Sequence, residues 1–135
     1  MVNRAEIIET ARTFLGTPFR HQGRVKGRGC DCAGIIVGVA KELKLSDFNF
    51  IHYGMSPNAD KLRQILDEEA VPTQDQKLGS ILLMTFDQEP QHLAIVTDIG
   101  ILHAYSLIGR CVEHNLDALW TSRIAAMYDF PGVTD

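Results

Sequence analysis

The sequence lacks what would mark a secreted disulfide scaffold, a membrane protein or a nucleic-acid binder. Its three cysteines in 135 residues are too few, and odd in number, for a disulfide framework. The longest apolar run, Cys32 to Ala40, falls far short of the roughly 18 to 20 residues that a membrane span needs, so no membrane insertion is expected. Glu6 and Glu9 interrupt the stretch where a signal peptide needs unbroken apolar residues, so synthesis in the cytoplasm without a signal peptide is expected. Basic residues number 13 against 17 acidic ones, a net charge of −4, and a chain so balanced has no general attraction for nucleic acid or anionic lipid. What remains is a globular composition, 45% hydrophobic and 22% charged, which argues against disorder. The length suits one domain, residues 1–135.

Helical signals come first along the chain. Asn3 can cap a helix, with Glu6 in the reciprocal capping position, and Ile7, Ile8, Ala11, Phe14 and Leu15 share a face at helical spacing. Gly16 and Thr17-Pro18 end that helix. A glycine-rich loop follows to Gly29, carrying Arg20, Arg24, Lys26 and Arg28 and no acid. The stretch from Cys32 to Leu45 has the β-branched content of a strand. Asp31 as a cap, the continuous length and cations near the end make it a helix instead, apolar nearly all round and therefore central. A third helix is expected from Ala59 to Glu69, capped by Asn58, with Leu62, Ile65 and Leu66 inward. Strands are then predicted at Ile81 to Phe86, Leu93 to Thr97, Ile101 to Ser106, Cys111 to His114 and Ile124 to Phe130. Three helices followed by about five strands, with no βαβ alternation, is an α+β pattern with an antiparallel sheet.

The chemistry concentrates at Gly29-Cys30-Asp31-Cys32-Ala33-Gly34. With Asp31 as cap, Cys32 is the first helical residue, beside free amide N–H groups and the positive end of the dipole. That position lowers a thiol pKa, and the four loop cations act the same way if the loop folds back. Small Ala33 and Gly34 leave room for a close approach to the sulfur. The alternative is an inert buried cysteine. A thiolate enzyme also needs a base and a group that orients it. Of five histidines, His92 and His103 stand on consecutive strands. A two- or four-residue turn centred on Thr97-Asp98 sets them opposite each other on one face, whereas a three-residue loop breaks that register.

These residues resemble the NlpC/P60 cysteine peptidases. Asp31-Cys32-Ala33-Gly34 is similar to that family's Asp-Cys-Ser/Ala-Gly motif. His92-Leu93-Ala94-Ile95-Val96 resembles its His-Val-Gly-Ile-Tyr strand, and Leu102-His103-Ala104 its Ile-His-Ala strand. Leu15 to Gly23, Val112-Glu113-His114 and Phe130-Pro131-Gly132-Val133 resemble the phage and gene-transfer-agent branch of cell-wall peptidases. The resemblance covers essentially the whole chain. It implies a papain-like α+β core with the helices packed on the antiparallel sheet, Cys32 as nucleophile, His92 as general base and His103 as the residue orienting His92. Backbone N–H groups at the helix start, that of Cys32 included, supply part of the oxyanion hole. The implied substrate is the peptide stem of bacterial peptidoglycan, cut between D-γ-glutamate and a diamino acid, with no cofactor and no metal. The branch further implies partners in a phage-like tail tip or hub, which carries the protein to the wall. Phe19 stands where many members have a tyrosine of the substrate site, Cys30 replaces an apolar residue, and Ala33 replaces serine.

Two other functions fit the same residues: a peptidase-fold structural module of a tail tip, favoured by Phe19, and an amidase or acyltransferase using the same cysteine and histidine. A metal site on Cys30 and Cys32 is disfavoured by the Cys-x-Cys spacing. The basic loop offers a grip for substrate carboxylates or is simply solvated. His21 is near enough in sequence to line a cleft. His52, His114, Cys111 and Trp120 are read as structural, Trp120 as a cap on the sheet edge.

Overall fold

Asn3 accepts the N–H of Glu6 at 2.9 Å and starts helix α1 (Arg4–Arg12). Ile7, Ile8, Ala11 and Phe14 are buried as the spacing predicts. Leu15 is 42% exposed, because after Arg12 the chain tightens into i→i+3 turns that rotate it off the apolar face. In this computed structural model residues 2–46, 59–86 and 89–135 are described. The expected cap Asn58 and His52 lie outside them.

Asp31 accepts the Gly34 N–H at 2.8 Å and opens helix α2 (Cys32–Glu42). A helix rich in Ile and Val is weak in isolation. It is held by burial of Ala33, Ile35, Ile36, Val37, Val39 and Ala40. It ends at Glu42, short of the expected Leu45, and Lys44 turns the chain away with φ +59°. Helix α3 (Ala59–Glu69) has the expected bounds and buries Leu62 and Leu66, with Ile65 partly covered. Strands β2 (Arg24–Val25) and β3 (Gly29–Cys30) make a small hairpin in the basic loop, and β1 (Val2–Asn3) pairs with β10 (Val133–Thr134).

The main sheet has six antiparallel strands rather than about five. Its order is β4 (Val71–Pro72), β9 (Ile124–Asp129), β5 (Ile81–Phe86), β6 (Glu89–Val96), β7 (Ile101–Tyr105) and β8 (Arg110–His114). The extra strand, β4, is two residues long at the sheet edge, where a proline is tolerated and no alternation exists to be read. On one face Leu83, Leu93, Ile95, Leu102 and Ala104 pack with Ile7, Phe14, Ile35 and Val39 of the helical layer. On the other, Leu82, Met84, Ala94, Val96 and Ile101 lie under Leu116, Trp120, Ile124 and Met127. Coverage on both faces explains why Ile81 to Met84 reads as a continuous apolar run. Arg4 joins the layers, pairing with Asp129 at 3.0 Å.

The start of α2 depends on one close approach. A Cβ on Gly34 would run into the carbonyl oxygen of Gly23, a backbone atom that cannot swing aside. Alanine ordinarily favours a helix over glycine by about 1 kcal/mol. Here the clash outweighs that gain, and Gly34→Ala should lower stability by about 1–3 kcal/mol. Chemical denaturation measures it; an unchanged or higher midpoint would show that loop and helix are not packed this way.

Candidate active site

Cys32 is the first residue of α2, and its sulfur lies against β6, near enough to the N–H groups of Leu93 and Ala33 for both to favour the thiolate. Pairing of β6 with β7 is confined to Ile95↔Leu102 and Val96↔Ile101. Toward its start β6 has parted from β7, and the Leu93 N–H there lies near the sulfur. His92 immediately precedes Leu93. Among the described residues no hydrogen bond joins the Cys32 sulfur to the His92 ring, so the two are brought together through the backbone beside the histidine.

The histidines form a row. His92 Nε2 lies 2.6 Å from His103 Nδ1, and His103 Nε2 lies 2.8 Å from His114 Nε2. His114 Nδ1 ends the row at 3.0 Å from the carbonyl oxygen of Asn115. The turn from Thr97 to Gly100 has four residues, closed by Val96↔Ile101. His92 and His103 therefore share a face, but as diagonal neighbours rather than opposite one another. A shift of two residues preserves the face, because side chains alternate with period two.

His114 and Trp120, read as structural from the sequence, both lie against the histidine pair. β8 runs back along β7 with His103↔Val112 and Ile101↔His114, which sets His114 diagonal to His103 on the same face. The short helix α4 (Ala118–Thr121), capped by Asp117, lays Trp120 over this face rather than at an edge. Its ring meets those of His103 and His114, each at a centroid distance of 5.1 Å. Phe86 packs edge-on against His92, and Tyr105 stacks on His103. The sequence signal for His114 was its alternation with Val112 on a predicted strand.

Electrostatics reverse the expectation for the thiol. Part of Cys32 reaches solvent, but its sulfur is enclosed by protein, and burial pushes the thiol up to about 12. Asp31 acts in the same direction, because the carboxylate that caps the helix places negative charge where the dipole alone would favour a thiolate. The two N–H donors and Arg24 oppose this with smaller effect. Of the loop cations, Arg24 pairs with Asp31 at 3.1 Å and Lys26 with Glu42 at 2.5 Å, while Arg20 and Arg28 stay exposed. The space beside Gly34 is filled by the Gly23 carbonyl, not left open. Burial also holds His92 well below its usual value, with His103 and Arg123 adding to the effect. Burial, then His114, brings His103 down to about 3. Cys30 and Cys111 are buried thiols pushed up to about 11 and about 12.

Neither protein-family models nor curated proteins match the chain by sequence. Solved structures do match its fold. The NlpC/p60 domain of the peptidoglycan hydrolase SagA superposes with a TM-score of 0.64 at 18% identity, over 96% of this chain and all of that one. A lipoprotein-like protein of the NLP/P60 family from Staphylococcus aureus, SAV0400, gives a TM-score of 0.61 at 15% identity. That match covers 95% of this chain but 41% of the longer protein. The chain thus has the papain-like α+β fold of NlpC/P60 domains.

Neutral buried histidines make stability depend on pH. In the unfolded chain their pKa returns to about 6.5, whereas the folded protein refuses the proton until far lower pH. Below about 6.5 the unfolded state binds more protons, so stability falls with pH, by up to about 1.4 kcal/mol per unit for each such histidine. Denaturation midpoints between pH 7 and about 5, above the range where most carboxylates titrate, should show this decline. Equal midpoints would show that the row is charged in the folded protein.

Proposed function

We propose that the protein is a cysteine endopeptidase that hydrolyses peptide-stem amide bonds of bacterial peptidoglycan, at the D-γ-glutamyl–diamino acid linkage. The observation that carries this reading is the meeting of Cys32, at the head of α2, with the start of β6, where His92 is hydrogen-bonded to His103. The shared fold with NlpC/P60 domains supports it. In this reading Cys32 is the nucleophile, His92 the general base and His103 the group that orients it.

The sulfur attacks the amide carbonyl carbon as its proton passes to His92. The N–H of Cys32 at the helix start stabilises the oxygen that gains charge. Collapse breaks the C–N bond, His92 returns the proton to the leaving amine, and a thioester remains. Water, deprotonated by His92, then attacks the thioester, releasing the carboxylic acid and restoring the thiol. A thiol pushed up and an imidazole pulled down make the resting pair neutral, so proton transfer accompanies attack instead of preceding it. This replaces the lowered thiol pKa that the helix-start position suggested.

The reading places the enzyme in a phage-like tail particle of the gene-transfer-agent kind, with tail-tip or hub proteins as partners and the tail as carrier to the wall. The loop from Leu15 to Gly23 and the closing Phe130-Pro131-Gly132-Val133 support that placement by resemblance. The raised thiol and Phe19 favour a second reading, a tail-tip module without catalysis.

Mass spectrometry of a γ-D-glutamyl-diaminopimelate muropeptide separates the two. Wild-type protein should release the two halves of the stem, and Cys32→Ala should release none. Cleavage by the alanine variant would remove Cys32 from the mechanism, and no cleavage by folded wild type would favour the module. The ionisation state has its own test in the alkylation of Cys32 by iodoacetamide. Its rate should rise about tenfold per pH unit from pH 7 to about 9, because the thiolate is a minor species throughout. A plateau in that range would mean a thiolate already formed.

A further inference from the structure

We propose that His114 is a positioning residue of this site, anchored on the Asn115 carbonyl and setting, through His103, the tautomer in which His92 presents a bare Nδ1 to Cys32. The inference rests on reading Cys32 and His92 as nucleophile and base, and it adds a residue to that arrangement.

The direction of the row follows from its end. A carbonyl oxygen only accepts, so the proton of His114 is on Nδ1, donated to Asn115. With the His114 proton on Nδ1, its Nε2 presents a lone pair that accepts from His103 Nε2–H across 2.8 Å. His103 Nδ1 is left as the acceptor for His92 Nε2–H across 2.6 Å. The remaining nitrogen of His92, Nδ1, carries a lone pair and no proton. One fixed acceptor thus orders three rings into a single polarity.

The opposite polarity leaves a bare His114 Nδ1 facing the Asn115 carbonyl oxygen, two lone pairs with no proton between them, or needs an extra proton in the row. The surroundings oppose that extra charge. His92 is 7% and His103 1% exposed, and the Arg123 guanidinium lies over the Phe86 and Trp120 rings at 4.5 and 4.6 Å. Glu113, the carboxylate next in sequence, is taken by Arg12 at 2.8 Å. Trp120 packs against both rings, edge-on to His103 and tilted to His114. When Cys32 gives its proton to Nδ1, the imidazolium that forms already donates through Nε2 to His103, and no ring has to turn.

Imidazole ¹⁵N spectra of labelled protein test the inference without any substrate. In the wild type His92 should be protonated at Nε2 and bare at Nδ1. His114→Gln, whose amide oxygen can accept from His103, should keep that state, and His114→Leu should convert His92 to a mixture of tautomers. On muropeptide, His114→Leu should lower kcat by at least about tenfold with KM little changed, and His114→Gln should recover most of it. A wild-type His92 protonated at Nδ1, or a His92 spectrum unaltered by His114→Leu, would overturn the proposal. If His114→Leu does not fold, the wild-type spectrum and His114→Gln decide it: a His92 tautomer lost in the glutamine variant would also overturn it. The expected tautomers with no muropeptide cleavage would uphold the row and reject the peptidase reading alone.

Discussion

The Asp31 carboxylate is the clasp on which the site depends. It accepts the N–H of Gly34 and the N–H of Gln22, each at 2.8 Å, and pairs with Arg24. The first contact starts α2 at Cys32, and the other two fold the basic loop back onto that start. Gly23 then rests against Gly34, and the head of the helix is pressed toward β6. A buried carboxylate with charge-assisted partners is strongly held. The same charge also stands beside the thiol and disfavours its ionisation. Position and reactivity are therefore set by one group acting in opposite senses.

A second constraint is the burial of the His92 and His103 rings. A sheet covered on both faces leaves no solvent to satisfy ring nitrogens in its middle, so they must satisfy one another. Burial accordingly selects neutral rings, and neutral rings in a line need a polarity. The parting of β6 from β7 is what brings the sulfur to this arrangement, because a fully paired strand has no N–H to offer.

Much of this was legible in residue order. The Asp31 cap prevailed over the β-branched content of α2 because a buried helix gains its stability from packing. The common face of His92 and His103 survived a different turn register for the reason that alternation has period two. Leu15 was misplaced because helical spacing was extended past the tightening turn. β4 was missed because two residues carry no period. That the rings of Trp120 and His114 meet His103 was not legible, because it depends on what crosses the sheet face, a matter of strand order.

By itself the sequence determined the helix that begins at Cys32, the strands that carry His92 and His103, and the α+β class, since caps, periodicity and turn residues act over a few positions. Only the tertiary structure decided which ring nitrogens meet, that His114 ends the row, and that burial pushes the thiol up. Those outcomes depend on desolvation and on contacts between distant segments. Desolvation by the assembled core is larger than the local dipole that the sequence alone displays.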